Sequence, residues 1–203
     1  MTIKASDIIS RALALADLTN TSFPTSAENR YYINNVFRSV YQEAINEGQK
    51  YWFEEAEFEG TDALPEDFYQ LYDLKDENGY RISRKQRNST DKDKWYDIVK
   101  GNLVLSPRII GKVKMEYFPK PFELDPTETG DVDLDFPDNI FYQICTLKLA
   151  EYYKIKQGGD ISGIELLLEE AWNTYRNILN RDLDQPNVIT DVYHGNNTWN
   201  WME

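Results

Sequence analysis

Reactive side chains are scarce in this sequence: its 203 residues hold one cysteine, Cys145, and one histidine, His194. A single cysteine closes no intrachain disulfide, and beside Ile144 and Leu147 it reads as a small core residue. His194 stands among Tyr193, Gly195 and Asn196, with no fixed partner to orient an imidazole, so a catalytic triad is not expected. Cys/His metal spacing, a Gly-rich phosphate loop and an Asp-rich calcium loop are all missing from the sequence. The expectation is therefore a protein that is not an enzyme and takes no cofactor and no metal. No apolar run approaches the roughly 18 residues of a membrane span. The first residues, Met1-Thr2-Ile3-Lys4, lack the apolar stretch of a signal peptide, so no membrane contact or secretion is expected. Basic residues are also short, 22 Lys and Arg against 35 Asp and Glu, and the net charge of −13 disfavours nucleic acid as a primary partner.

Apolar material is ample: 41% hydrophobic residues, with 14% aromatic, is enough to build a core. Ile8, Ile9, Ala12, Leu13 and Ala16 recur at helical spacing, with Ser6 as the expected cap. Thr25 and Glu28 form a capping-box pair ahead of a long stripe made by Ile33, Val36, Phe37, Val40, Tyr41, Ala44 and Ile45, which Gly48 ends. From Tyr51 the period changes to short aromatic runs punctuated by Gly60, Pro65 and Gly79. Trp95 to Val99 and Leu103 to Leu105 read as a hairpin, with Gly101 and Asn102 as the residues that tolerate positive φ, and Val113, Met115 and Tyr117 alternate as a further strand. Helix returns near Pro137 through Ile140, Phe141, Ile144, Leu147 and Tyr152 to Gly158-Gly159. Asp160 then caps a last stripe of Ile164, Leu167, Leu168, Ala171, Tyr175, Ile178 and Leu179.

Two helix pairs that each bury one face imply docking as a bundle. The expected fold is α+β but mainly α: a four-helix bundle from residues 1–50 and 136–183, a β-rich insert over 51–135 and an extended C-terminal tail over 184–203. In that tail Tyr193, Trp199 and Trp201 are the residue types that anchor in partner pockets.

Two charged clusters carry alternatives. Glu54, Glu55, Glu57 and Glu59 beside Trp52 supply the carboxylates that a cell-wall glycan hydrolase or glycan-binding module would use, although their alternation also fits the solvated face of a strand. Arg81, Arg84, Lys85 and Arg87 form the one basic cluster, which suits a solvated loop or an inter-subunit contact with the acidic face of a neighbouring copy. A stand-alone helical regulator is a third reading.

The order of elements carries a resemblance. The first helix pair ends in Ala44-Ile45-Asn46-Glu47-Gly48, followed by Leu64-Pro65-Glu66-Asp67-Phe68-Tyr69 and a hairpin leading to Met115-Glu116-Tyr117. The second pair opens near Phe136-Pro137, contains Leu149-Ala150-Glu151-Tyr152-Tyr153 and is joined by Gly158-Gly159-Asp160. Along essentially its whole length the chain resembles the head-to-tail adaptor, or connector, proteins of tailed phages. That resemblance implies a structural virion protein at the head-tail junction, assembled in the host cytoplasm as a homo-oligomeric ring, commonly dodecameric. The ring would sit beneath the portal protein, meet a downstream tail or second ring protein, and let DNA pass its channel without sequence recognition. Portal docking would fall to the tail, through Val192, Tyr193, His194, Trp199 and Trp201.

Overall fold

The computed structural model describes residues 1–18, 23–86, 89–90, 93–125 and 130–183, with side chains described as far as Leu179. Those residues form four helices and nine strands in three sheets, divided between two compact units. One unit holds Met1–Gln49 and the chain from Glu123 onward; the other is Lys50–Phe122.

In the first unit, strand β1 (Thr2–Lys4) pairs antiparallel with β9 (Asp133–Asp135), so the start of the chain is tied to a segment some 130 residues away. The amino group of Met1 extends the ladder by donating to the Phe136 carbonyl at 2.8 Å. Helix α1 (Ala5–Leu15) follows directly. Ser6 lies inside it rather than capping it; its backbone N–H and hydroxyl donate to the Asp131 carboxylate at 3.1 and 2.7 Å. A carboxylate from a distant part of the chain thus satisfies a free amide of the first turn, where negative charge is favoured.

Helix α2 (Ser26–Asn46) has the reciprocal capping box expected of Thr25 and Glu28. Asp138 caps α3 (Asn139–Lys156) by accepting from Phe141 N–H at 2.8 Å, which starts this helix two residues after Pro137. The Asp160 carboxylate accepts both the N–H and the hydroxyl of Ser162 at the start of α4 (Ser162–Leu183). Helix α3 packs against each of α1, α2 and α4. The centre of this unit is closed by Ile8, Ile33, Val36, Phe136, Phe141, Ile144, Leu149, Tyr153 and Tyr175, all almost wholly inaccessible. The two buried phenols keep polar partners: Tyr153 donates to Asn29, and Tyr175 accepts from Gln49 at 2.8 Å. Cys145 is a free, buried thiol in the same core.

The second unit contains β2 (Glu54–Glu59), β3 (Asp62–Ala63), β4 (Phe68–Asp76), β5 (Ser83–Arg84), β6 (Trp95–Val99), β7 (Asn102–Leu105) and β8 (Lys112–Pro119). One sheet is antiparallel, ordered β2-β8-β4; the other runs β3-β7-β6-β5, with β5 and β6 parallel. The hairpin between β6 and β7 turns on Lys100 (φ +51) and Gly101 (φ +78), one position earlier than the sequence suggests, because Asn102 already pairs with Val99. Phe58, Leu74, Ile82, Leu103, Val113, Met115 and Tyr117 form a core drawn from both sheets.

That core overturns the expectation of a mainly helical four-helix bundle with a β-rich insert. The molecule is an α+β protein whose strands build a unit with a hydrophobic centre of its own, while the helical unit carries a strand pair besides. Strand character over 51–124 is visible in the sequence, but the closing of two sheets on one core is not, since the pairing of β4 with β8 shifts register twice. Residues 123–135 also belong with the helices, since β9 completes the β1 ladder there. The tail, residues 184–203, lies outside the described residues.

Candidate functional site: the charged face of the β unit

Arg81 is brought beside β4 by a single antiparallel bridge to Lys75, while β5 places Arg84, and the residue after it Lys85, alongside β6. The strands set the charges in alternating order. Arg81 Nε lies 2.7 Å from Asp73 Oδ1, Asp73 Oδ2 is 3.7 Å from Lys75 Nζ, and Lys75 Nζ is 2.7 Å from Glu116 Oε1 on β8. The hydrogen bond to Glu116 pushes the Lys75 ammonium above its ordinary pKa, with further support from the charges of Glu116 and Asp73. Arg84 Nε stands 3.5 Å from Asp97 Oδ1. Lys85 places its ammonium 4.1 Å from the centre of the Trp95 ring, and its N–H donates to the Tyr96 carbonyl at 2.6 Å. Burial raises the Tyr96 phenol, against the opposing pull of Arg84 and Arg81. Arg87, the fourth member of the cluster, lies outside the described residues.

The cluster is therefore a row of cations held in register by acids of its own sheets. Arg81 and Arg84 remain 73% and 69% exposed, so each guanidinium keeps most of its surface toward solvent while one carboxylate fixes its position. Such a row suits contact with an acidic protein face, because its cations are already oriented. The acids that do the orienting, Asp73, Asp97 and Glu116, were not singled out in the sequence. The alternation of Asp73 and Lys75 was a visible cue, but the pairing with Glu116 needs the β4–β8 register.

Below this face, Asp76 is buried and accepts from Lys94 Nζ at 2.6 Å and from the N–H groups of Asn78 and Tyr80, each at 3.0 Å. The Lys94 contact chiefly, then the two backbone donors, hold its carboxyl below the usual range. Asp76 thus ties the 77–80 turn to the strand entering from Lys94.

The β2 carboxylates are matched to β8. Glu57 meets Lys112 at 3.0 Å and Glu55 meets Lys114 at 2.7 Å, both pairs exposed on one face, which is the solvated-strand arrangement. Glu54 instead accepts from the Tyr117 hydroxyl at 2.9 Å, and Asp67 stands 3.3 Å from the same oxygen. Burial first, then the bond to Glu54, raises the Tyr117 phenol far above its normal value, so it stays a donor. Cys145 is likewise held protonated by burial. Among the described residues, no group of three His, Cys, Asp or Glu side chains is arranged to hold a metal ion, and no helix is long and apolar enough to cross a membrane. Val192, Tyr193, His194, Trp199 and Trp201 lie outside the described residues.

Charge is divided unevenly along the chain. Lys50–Phe122 contains 13 Lys and Arg against 14 Asp and Glu, a net of −1, whereas the remainder contains 9 against 21, a net of −12. No family model matches this chain, and no curated protein matches it.

Proposed function

We propose that this chain is a structural subunit of a tailed-phage virion, an adaptor of the ring that joins the portal of the head to the tail. The observation that carries the reading is the partition of charge, −12 on the helical unit with its C-terminal segment and −1 on the β unit with its oriented row of Arg81, Arg84 and Lys85. A closed ring is built by a heterologous contact, in which each copy offers two different and complementary faces. A near-neutral β unit carrying fixed cations and a strongly acidic helical unit supply such a pair. The order helix pair, β unit, helix pair, C-terminal segment adds the second support, as the order shared with the adaptor proteins.

In this role the protein turns nothing over. Each copy binds its neighbours, the assembled portal subunits and a downstream tail or second ring protein, and the segment bearing Val192, Tyr193, His194, Trp199 and Trp201 docks on the portal. An acidic wall lets packaged DNA pass without adhering to it. The glycan-hydrolase alternative draws no support from Glu55 and Glu57, which are occupied by Lys114 and Lys112.

The test is the mass and image of the purified protein alone and after mixing with a tailed-phage portal protein from the same source. A ring that forms on the portal is the expected result. A chain that stays monomeric and indifferent to portal at any mixing ratio defeats the proposal.

A further inference from the structure

The loop between β7 and β8 presents an apolar tip on the β unit. Ser106 is buried with its N–H on the Trp95 carbonyl at 2.9 Å, and the Ile109 N–H closes a turn on the Ser106 carbonyl at 3.0 Å. Ile109 packs on the core of the unit, while its neighbour Ile110 is 82% exposed. Gly111 follows at φ +87, where a side-chain carbon would also stand 2.5 Å from Glu77 Oε2. The loop therefore abuts the 77–80 turn, which carries Tyr80 at 71% exposure. Ile110 and Tyr80 are the two most exposed large hydrophobic side chains among the described residues.

The helical unit holds a matching recess. Helices α1, α3 and α4 leave open a groove of about 580 Å³, lined in part by Arg11, Leu15, Ile140, Tyr142, Leu147 and Leu167. Leu15 and Leu167 are exposed. The Arg11 guanidinium lies 5.3 Å from the centre of the Tyr142 ring and is the one charged group among the lining residues. Exposed Glu170 stands one turn beyond Leu167 on α4.

We infer that Ile110 and Tyr80 of one copy seat in this groove on a second copy of the chain. Three observations select that occupant. The first is chemistry: an aliphatic side chain and a phenol meet an apolar recess, and each covers apolar surface that the other leaves open. The second is charge. Glu77, against the tip, complements Arg11 at the groove, and exposed Arg108 of the tip complements Glu170. The third is topology. Tip and groove belong to different units of one chain, so the contact joins unlike faces, which is the heterologous contact that a closed ring requires. Arg81, next after Tyr80, continues the tip into the row of oriented cations, so apolar and charged contacts form one surface. The inference rests on the self-association in the proposed ring and needs no portal.

The test mixes full-length Asn78→Cys protein with full-length Gln143→Cys protein and treats the mixture with a short bismaleimide. Asn78 lies in the turn beside the tip, Gln143 lines the groove, and both are exposed. Cys145 is buried and protonated, and the parent protein measures its background. The expected result is a link between positions 78 and 143, at dimer mass. It forms at least about tenfold faster than links between like positions, or than the link in a control mixture of Asn78→Cys with Tyr31→Cys, since Tyr31 is an exposed residue of α2 away from the groove. Adding Ile110→Asp to the first protein, or Leu167→Asp to the second, brings the rate down to that of the control, whereas Ile110→Leu keeps it. Arg11→Glu slows the link, and Glu77→Arg in the other protein restores it. A link between two copies of position 78 as the fastest product means a two-fold pairing of tips and overturns the inference, as does a rate equal to the control. The same comparison on rings assembled with portal separates the two readings. A ring without the preference overturns this contact and leaves the ring standing; the preference in free protein that ignores portal supports the contact and defeats the adaptor role.

Discussion

Asn34 and Leu124 are bonded to each other in both directions: Asn34 Nδ2 donates to the Leu124 carbonyl at 2.9 Å, and Asn34 Oδ1 accepts the Leu124 N–H at 2.8 Å. One turn earlier on the same helix, buried Arg30 donates to the carbonyls of Asp125, at 2.9 Å, and Gly130. Helix α2 therefore uses a polar pair at i and i+4 to hold the chain as it re-enters the helical unit, where a strand ladder would otherwise be needed to satisfy those backbone groups.

The amide at position 34 is matched to both a donor and an acceptor, so its replacements separate. Asn34→Leu removes both bonds and leaves Leu124 N–H and C=O to find water, at a cost of about 1–3 kcal/mol. Asn34→Asp keeps the acceptor but sets a carboxylate against the Leu124 carbonyl. It is expected to be no worse than Asn34→Leu below pH about 4, where it is protonated and donates, and to lose stability as the pH rises above that. Urea unfolding of the two variants at pH 3.5 and pH 7 checks the crossover.

Arg30 spans two carbonyls with one planar group, which a lysine cannot do. Arg30→Lys is expected to lose about 1–2 kcal/mol of stability, and amide exchange at Gly130 and Asp131 to accelerate relative to the rest of the helical unit. Equal exchange at those positions in variant and parent would show that the clamp contributes nothing.

Asp76 gives the β unit an acid limit. Its carboxyl titrates below the ordinary value of 3.8, so the stabilisation it provides is complete above that pH and is lost as the pH falls through the lower folded value. Asp76→Asn keeps the shape but removes the charge that Lys94 answers. The variant is expected to be less stable at pH 7 and to show a flatter decline between pH 4 and pH 2 than the parent. Denaturant midpoints taken across that range measure both effects.

The β6–β7 turn has both central residues at positive φ, the geometry that Asn-Gly serves best. Lys100 holds that conformation at some cost, which an asparagine reduces. Lys100→Asn is expected to raise stability by about 0.5–1 kcal/mol, and Gly101→Ala to lower it by about 1 kcal/mol or more, both read from thermal unfolding.

How far the sequence foretold this molecule follows from how local each signal is. The Thr25–Glu28 cap and the stripe from Ile33 to Ile45 lie within one helix and read directly. The hairpin was legible to within one residue, because its turn chemistry is local and only the choice between Lys100-Gly101 and Gly101-Asn102 depends on register. Contacts that join distant segments were not legible: Thr2 with Asp135, Ser6 with Asp131, and Ser83 on parallel β5 with Trp95. The weight of the β unit was missed for the same reason, since Phe58, Leu74, Leu103 and Met115 become one core only when two sheets are assembled. At the charged face the cations Arg81, Arg84 and Lys85 stood out as a run, while Asp73 and Asp97, which orient the two arginines, came from other strands.

Because Asp73 and Asp97 hold Arg81 and Arg84 in place while leaving them largely exposed, reversing the two arginines separates fold from assembly. Arg81→Glu with Arg84→Glu costs the β unit little by itself, since exposed pairs are worth about 0–1 kcal/mol each. If the proposed ring joins this face to the acidic unit of a neighbouring copy, the same change turns attraction into repulsion, and that proposed assembly is expected to need at least about tenfold more protein. The parent assembly is expected to loosen as salt rises from 50 mM to 500 mM, where screening shortens to a few Å, and the variant to show little of that dependence. Sedimentation of both proteins with portal across the salt series measures this. An unchanged concentration dependence in the variant would place the subunit contact elsewhere on the chain.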